Sequence, residues 1–499
     1  MVAKNNSKRA LTFLVGGALI LPLGAGGQSA PASAQGATGT VQAISAKDKQ
    51  EGAKAHPQLL AEFGGAVTGP QALYVESVGK KIAVQSGLSN ATGDFTVTLL
   101  NSSIDNAFAI PGGYIYTTRQ LVSLMNNEAE LAGVLGHEVG HVAARHSAKR
   151  QSAATRNQII GVLGAVLSGA LLGGNSQVGQ LLQQGFLQGS QILTLKFSRS
   201  QENEADKLGI EYLRRAGYDP RAMSTVLASL AAQNSLSTRL LGAPESRVPE
   251  WASTHPDPAA RVSTTLRLAG STGGVTNRDT FLTRINGLTY GDDPKEGVVE
   301  GRKFIHPVDK FAFEAPSGFF LVNGTQAVAI SGQSGKGQLT AAAFTGDLDA
   351  YVRAVFAKLA TDNKVAITPG AVQRTTVNGI PAAYSVARVA QGSSSVDVTV
   401  FAYAMGTSNA VHFMTIAQAG QAAVFEPMYA SMRRISAAEA AAIRPRKLVV
   451  VTAKKGDTVQ SLAAKMAYTD APLDRFLVLN GIKSDARIVV GQRIKLVIY

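Results

Sequence analysis

Apolar residues Leu131, Val134, Leu135 and Val142 recur at helical spacing and predict a helix within residues 126–150 with one buried stripe. Asn126 or Asn127 caps it. Glu128 and Glu130 occupy the first turn and basic residues the last, which suits both ends of the helix dipole. Leu208, Tyr212 and Leu213 mark one face of a second helix within 198–220. Between the two lies an apolar run, 159–172, short for a membrane crossing and interrupted by Gly161, Gly164 and Gly169. It reads either as a lid or hairpin over a cleft, touching a membrane surface, or as a packed core helix.

After about residue 300 the period changes. Alternating segments at 318–322, 338–344, 372–377, 382–389, 396–403 and 411–417 predict strands, and Asn378-Gly379 predicts a type I′ hairpin. Helices are expected at 348–359 and 422–434. His306 and His412 lack ligand-spaced partners and read as core or capping histidines. From 446 the order is strand (448–452), helix (458–466), helix (471–479) and strand (493–498). Asp457 or Thr458 caps the first of these helices, and Asn480-Gly481 stops the second.

The chain has 499 residues, 45% hydrophobic and 16% charged, which excludes a largely disordered protein. A net charge of +14 favours anionic surroundings such as nucleic acid, acidic lipid or cell-wall polymer without selecting one. Dispersed basic residues and the lack of a phosphate-binding Gly-rich loop argue against nucleic acid. There is no cysteine, so disulfides, Cys-ligated metals and thiol nucleophiles are excluded. Lys4, Lys8 and Arg9, an apolar run over 10–23 and Ala32-Ser33-Ala34 form the three regions of a signal peptide cleaved after Ala34. A membrane anchor is disfavoured by the short run and Pro22. The mature protein is expected in the periplasm, in contact with the cell wall or outer membrane.

The first predicted helix carries His137-Glu138-Val139-Gly140-His141, an H-E-x-x-H motif. Positions four apart nearly eclipse on a helix, so both imidazoles can chelate one ion while Glu138 stands beside it. Zinc there would bring the pKa of a water near 7, and Glu138 would take its proton. The bland alternative is two hydrogen-bonded or solvated histidines on an ordinary helix. A metzincin would need glycine at 144 and histidine at 147, where this chain has Ala144 and Ser147. His146 would lie half a turn from His137 if the helix continued. On the second helix Glu202 and Asp206 stand four apart, offering a carboxylate ligand and, one turn on, an acceptor for a ligating imidazole. An acidic solvated face paired with Lys or Arg is the other reading.

HEVGH followed by SRSQENEAD (198–206), with NAFAIPGGYIYTTRQL (106–121) and STHPDPAAR (253–261), resembles the M48 family of zinc metalloproteases, in its exported bacterial branch. The resemblance spans roughly residues 56–261. It implies one zinc per chain held by His137, His141 and Glu202, with Glu138 as general base and Asp206 supporting a ligand histidine. It also implies that the strand containing Ala107 to Tyr116 is an edge beside the active-site helix, which an extended substrate could join at Asn106, Ala107, Phe108 and Ala109, with Pro111, Gly112 and Gly113 keeping side chains clear. His255 of the T-H-P loop is either a fourth ligand that keeps the enzyme latent or part of a turn into the next helix.

The C-terminal βααβ unit, with KKGDTVQSLAAKM and LNGIKSDARIVVGQRIKLV, resembles a LysM domain. That implies binding of peptidoglycan glycan near Gly456, Asp457 and Thr458 and near Asn480, Gly481 and Ile482; a module that has lost its ligand is the alternative. The expected fold class is α+β and multidomain. A signal peptide (1–34) precedes a mainly helical gluzincin-type metalloprotease domain (35–295), an antiparallel α+β middle domain of unknown role (300–440) and a βααβ LysM domain (446–499). The expected activity is zinc-dependent endopeptidase action on unfolded or stalled envelope proteins, with the outer-membrane assembly machinery as a further partner. Cleavage of peptidoglycan cross-link peptides, or a wall-bound chaperone with a latent zinc site, are the alternatives.

Overall fold

The computed structural model describes residues 41–147, 197–241, 255–271, 273–363, 365–391 and 394–499. The expected signal peptide, the apolar run 159–172, and Ser253 and Thr254 of the T-H-P loop lie outside these described residues.

Helix α1 (Ala46–Glu62) opens on a capping box between Ser45 and Asp48, and α2 (Pro70–Ala83) on a proline in its first turn. Strands β1 (Thr96–Leu100), β2 (Ala107–Ile110) and β3 (Tyr114–Thr118) form a sheet ordered β1-β3-β2, parallel between β1 and β3 and antiparallel between β3 and β2. Residues 107–116 are therefore a hairpin and not one strand. Gly112 and Gly113 turn it at φ values of 98° and 86°.

The short α3 (Arg119–Leu124) leads to Asn127, whose side chain accepts from the Glu130 N–H and starts α4 (Glu128–Ala143). A single buried stripe was expected on α4. It is instead buried nearly all round, because α2, β2, α5 (Arg199–Arg215) and α6 (Ala222–Leu241) all pack on it. Missing side chains permit this closeness: a Cβ on Gly140 would lie 3.2 Å from the Ala205 carbonyl oxygen, and one on Gly209 3.1 Å from the His137 nitrogen. Helix α4 stops at Ala143, well short of residue 150. The helices of this part of the chain end with α7 (Pro258–Ala269) and α8 (Arg278–Ile285).

After the two-residue β4 (Thr289–Tyr290), strands β5 (Val298–Glu300), β6 (Lys303–His306) and β7 (Phe311–Glu314) begin the middle of the chain. Then come β8 (Phe319–Asn323), β9 (Val328–Gly332), β10 (Gly335–Ala343), α9 (Leu348–Asn363), β11 (Gln373–Val377), β12 (Ile380–Gln391), β13 (Ser394–Ala404) and β14 (Asn409–Gln418). Seven of these strands form an antiparallel sheet ordered β11-β12-β13-β14-β10-β9-β8. The expected hairpin turns at Asn378 and Gly379, both at positive φ. Val352 and Phe356 of α9 cover one face, and Phe304, Phe313 and Phe425 the other. His412 is buried with its Nδ1 2.9 Å from the Tyr351 hydroxyl, and His306 Nδ1 accepts from the Asp309 N–H at 3.1 Å.

The helix expected over 422–434 is broken. A 3₁₀ turn precedes α10 (Glu426–Ser431), because Pro427 has no N–H to continue the first and restarts the helix. Arg433–Arg434 then pair with β7 as β15. Beyond α11 (Ala437–Ala442), β16 (Arg446–Thr452), α12 (Val459–Ala463), α13 (Pro472–Asn480) and β17 (Arg493–Ile498) make the βααβ unit, with α12 shorter than expected. β4 adds to the free side of β16 through the pairs Arg446–Tyr290 and Lys447–Thr289. One apolar core runs from Val75, Leu135 and Leu213 to Leu448, Leu462 and Phe476. Among the described residues no helix is long and apolar enough to cross a membrane.

Candidate active site

His137 and His141, one turn apart on α4, bring their Nε2 atoms to 3.0 Å. The close crossing of α4 and α5 carries Glu202 to them: its Oε1 lies 3.4 Å from His141 Nε2 and its Oε2 3.7 Å from His137 Nε2. His255, at the entry to α7, points its Nδ1 into the same cluster, 3.1 Å from Glu202 Oε1 and 3.4 Å from His137 Nε2. One donor atom from each of the four falls within 4.8 Å of the others, and all four side chains are buried. Glu202 and Asp206 are both buried, so neither belongs to a solvated face, although both pair with an arginine.

Glu138 faces the cluster from the next position. Its Oε1 lies 3.6 Å from His255 Nε2 and has no hydrogen-bond partner among the described residues. Burial, reinforced by the Glu202 charge, raises its pKa well above the usual carboxylate range. Asp206 Oδ1 lies 3.0 Å from His137 Nδ1.

Arg261 on α7 was not singled out from the sequence. Its Nε and Nη2 donate to Asp206 at 2.8 and 2.5 Å, and its Nη1 donates to Glu202. Burial opposes ionisation of Glu202, but His255, His141 and His137 outweigh it and hold the carboxyl below its ordinary range. Burial likewise opposes ionisation of Asp206, and hydrogen bonds from His137 and Arg261 reverse the balance. Three buried acids face one guanidinium, a shortage of positive charge that a divalent cation would relieve. Two imidazoles and a carboxylate are also the donor set of a catalytic zinc site. The residues fit such a metal.

Residues 70–269 match the family model described as "Peptidase family M48". They form an M48 peptidase domain. Residues 451–497 match the model described as "LysM domain". The "Beta-barrel assembly-enhancing protease" of Escherichia coli (strain K12) is 34% identical over 190 residues, covering 38% of this chain and 37% of that protein. The protein of the same name in Yersinia pestis is 35% identical over 193 residues, with the same coverage of each. "Mitochondrial metalloendopeptidase OMA1" of Schizosaccharomyces pombe is 32% identical over 218 residues, covering 43% of this chain and 59% of that one. The chain thus spans a little over a third of the length of the bacterial relatives.

In the M48 domain, β2 lies at the edge of its sheet and packs against α4. Asn106 pairs inward, accepting from the Thr118 N–H at 2.9 Å. Phe108 stacks on Tyr116 with ring centroids 4.7 Å apart, and Ala107 is buried while Ala109 is half-buried. The turn expected to stay clear for a substrate is filled by the chain's own backbone. A Cβ on Gly112 would lie 2.5 Å from the Asp48 carbonyl oxygen, and one on Gly113 2.2 Å from that of Asp94. Gly112 thus lets the turn approach α1, and Gly113 lets it approach the segment before β1.

In the LysM unit Gly456 and Thr458 are exposed and Asp457 is half-exposed, its carboxylate accepting from the Lys454 N–H at 2.8 Å. Asn480 departs from the expected groove. It is buried, its Nδ2 donating to the carbonyls of Phe476 and Lys495 and its Oδ1 accepting from the Lys495 N–H, so it ties α13 to β17. Gly481 caps α13 at φ 61° and faces Asn126 of the M48 domain. Ile482 is half-buried.

Proposed function

We propose that this chain is a zinc endopeptidase of the periplasm, holding one zinc through His137, His141 and Glu202 and using Glu138 as the base. Bound zinc supplies Lewis-acid chemistry, acidifying a water and polarising the scissile carbonyl. Glu138 takes the proton of the attacking water and returns it to the leaving amine. Its buried Oε1, without a hydrogen-bond partner among the described residues and 3.6 Å from His255 Nε2 of the donor cluster, is the observation that carries this reading. Asp206 orients His137, and Arg261 pairs with Glu202 and helps keep Asp206 ionised.

His255 is the latch in this reading. Standing between Glu138 and the other donors, it occupies the space an attacking water needs and has to withdraw for turnover. An extended substrate would add to the open side of β2 beside α4. The names of the bacterial relatives support substrates among outer-membrane β-barrel proteins during assembly, and the LysM match supports attachment to peptidoglycan through Gly456, Asp457, Thr458, Gly481 and Ile482.

The test is cleavage of an unfolded β-barrel protein by the mature chain, with zinc content measured in parallel. Glu138→Gln should keep zinc and lose cleavage, and His255→Ala should cleave faster. If every form binds zinc and none cleaves protein, the reading fails; assays on wall fragments would then decide between cross-link peptides, which LysM would present, and a role without hydrolysis.

A further inference from the structure

The two histidines on α4 use their second nitrogens differently. His137 Nδ1 meets a carboxylate directly, Asp206 at 3.0 Å. His141 Nδ1 meets another imidazole, with His146 Nδ1 at 2.9 Å. His146 is completely buried, and its Nε2 lies 3.1 Å from Oε2 of Glu204, whose side chain is about half exposed. Helical geometry would have carried His146 away from this position. But α4 has already ended, and Arg145 adopts φ 55°, a left-handed conformation unusual for a residue with a side chain. That turn swings His146 back beneath His141, where Gln201 of α5 donates to its carbonyl at 3.4 Å.

The protons give this row a direction. A nitrogen that binds a metal must present a lone pair, so with Nε2 in the donor cluster His141 carries its proton on Nδ1. His146 Nδ1 must then accept, and the His146 proton sits on Nε2, where Glu204 accepts it. An ionised carboxylate can only accept, so the order runs one way from cluster to surface. We infer that His146 and Glu204 are positioning residues that hold His141 in its metal-binding tautomer and ring orientation. The inference rests on the zinc-ligand reading above.

Zinc affinity of the full chain, measured by competition with a chromophoric chelator, tests it alongside nitrogen-15 NMR of the imidazoles. His146→Ala should weaken zinc binding about 10- to 100-fold. His146→Asn, which keeps an acceptor near the Nδ1 position, should recover most of that. Glu204→Ala, at the exposed end, should cost a few-fold with an unchanged unfolding temperature. NMR should find His146 protonated on Nε2 in the zinc-loaded chain. Wild-type affinity in His146→Ala overturns the inference. Should that variant not fold, an Asn variant as weak as Glu202→Ala overturns it, as does protonation of His146 on Nδ1. His141→Ala keeps the two ideas apart, because zinc retained there sinks the ligand assignment itself.

Discussion

The ammonium of Lys495 lies 2.6 Å from the carbonyl oxygen of Met125. It also donates to the carbonyls of Ser123 and Leu124 at 2.8 and 3.2 Å, so a side chain of β17 caps the end of α3 just before the N-cap of α4. Burial pushes the Lys495 pKa down to about 7, with the Glu130 charge pulling the other way. Lys495→Ala would leave these carbonyls buried without a donor. It should cost about 3 kcal/mol of stability in urea denaturation, and Lys495→Met, which fills the space, should cost less. Wild-type stability in the alanine variant would mean that this contact holds nothing.

A LysM unit on a loose tether could be removed without harm. Here the Leu448 carbonyl and N–H bond to Gly287 and Leu288, and α8 packs against β16 and β17. Truncation after Ile443 would expose Ile285 and Leu288, both buried in the intact chain. The shortened protein should aggregate or unfold at clearly lower temperature. A soluble truncation with unchanged unfolding temperature would argue for an independent tether.

What the sequence made legible follows from how local each signal is. The α4 helix and its H-E-x-x-H spacing are contained in one stretch of chain, as are Glu202 and Asp206 on α5 and the Asn378-Gly379 turn. The partners of those residues come from far along the chain. Arg261 reads as an ordinary helix residue until α7 lays it across Glu202 and Asp206. His146 was set aside because the helix was expected to run on, whereas a left-handed residue ends it. The closeness of Gly112 to α1 and of Gly113 to Asp94 is likewise set by chain segments distant in sequence. No periodicity marks Lys495 as buried, since its partners are carbonyls of another domain.

The middle sheet should carry its own acid sensitivity. Burial lowers the His412 pKa to about 4, against 6.5 in an unfolded chain. Between those values the unfolded state binds a proton that the folded state refuses, so stability falls as pH drops from 6.5 towards 4 and is unaffected above that window. The full difference is roughly 3 kcal/mol at most. His412→Asn keeps an acceptor for the Tyr351 hydroxyl and should flatten this part of the profile relative to the parent. Urea denaturation at pH 7 and pH 4.5 would show it, and equal pH dependence in both proteins would refute it.

Arg261 separates two sources of positive charge at the site. In the zinc-free chain its guanidinium is the cation shared by Glu202 and Asp206, all three groups being buried. Arg261→Met removes it and keeps much of its volume, leaving two buried carboxylates; the zinc-free protein should lose about 3–5 kcal/mol. With zinc bound, Glu202 keeps a cation beside it and the loss should be smaller. The gap in unfolding temperature between zinc-loaded and zinc-free protein should therefore be wider in the variant than in the parent. Calorimetry on both forms of both proteins decides the matter. Equal destabilisation with and without zinc would make Arg261 a packing strut whose charge does not speak to the metal.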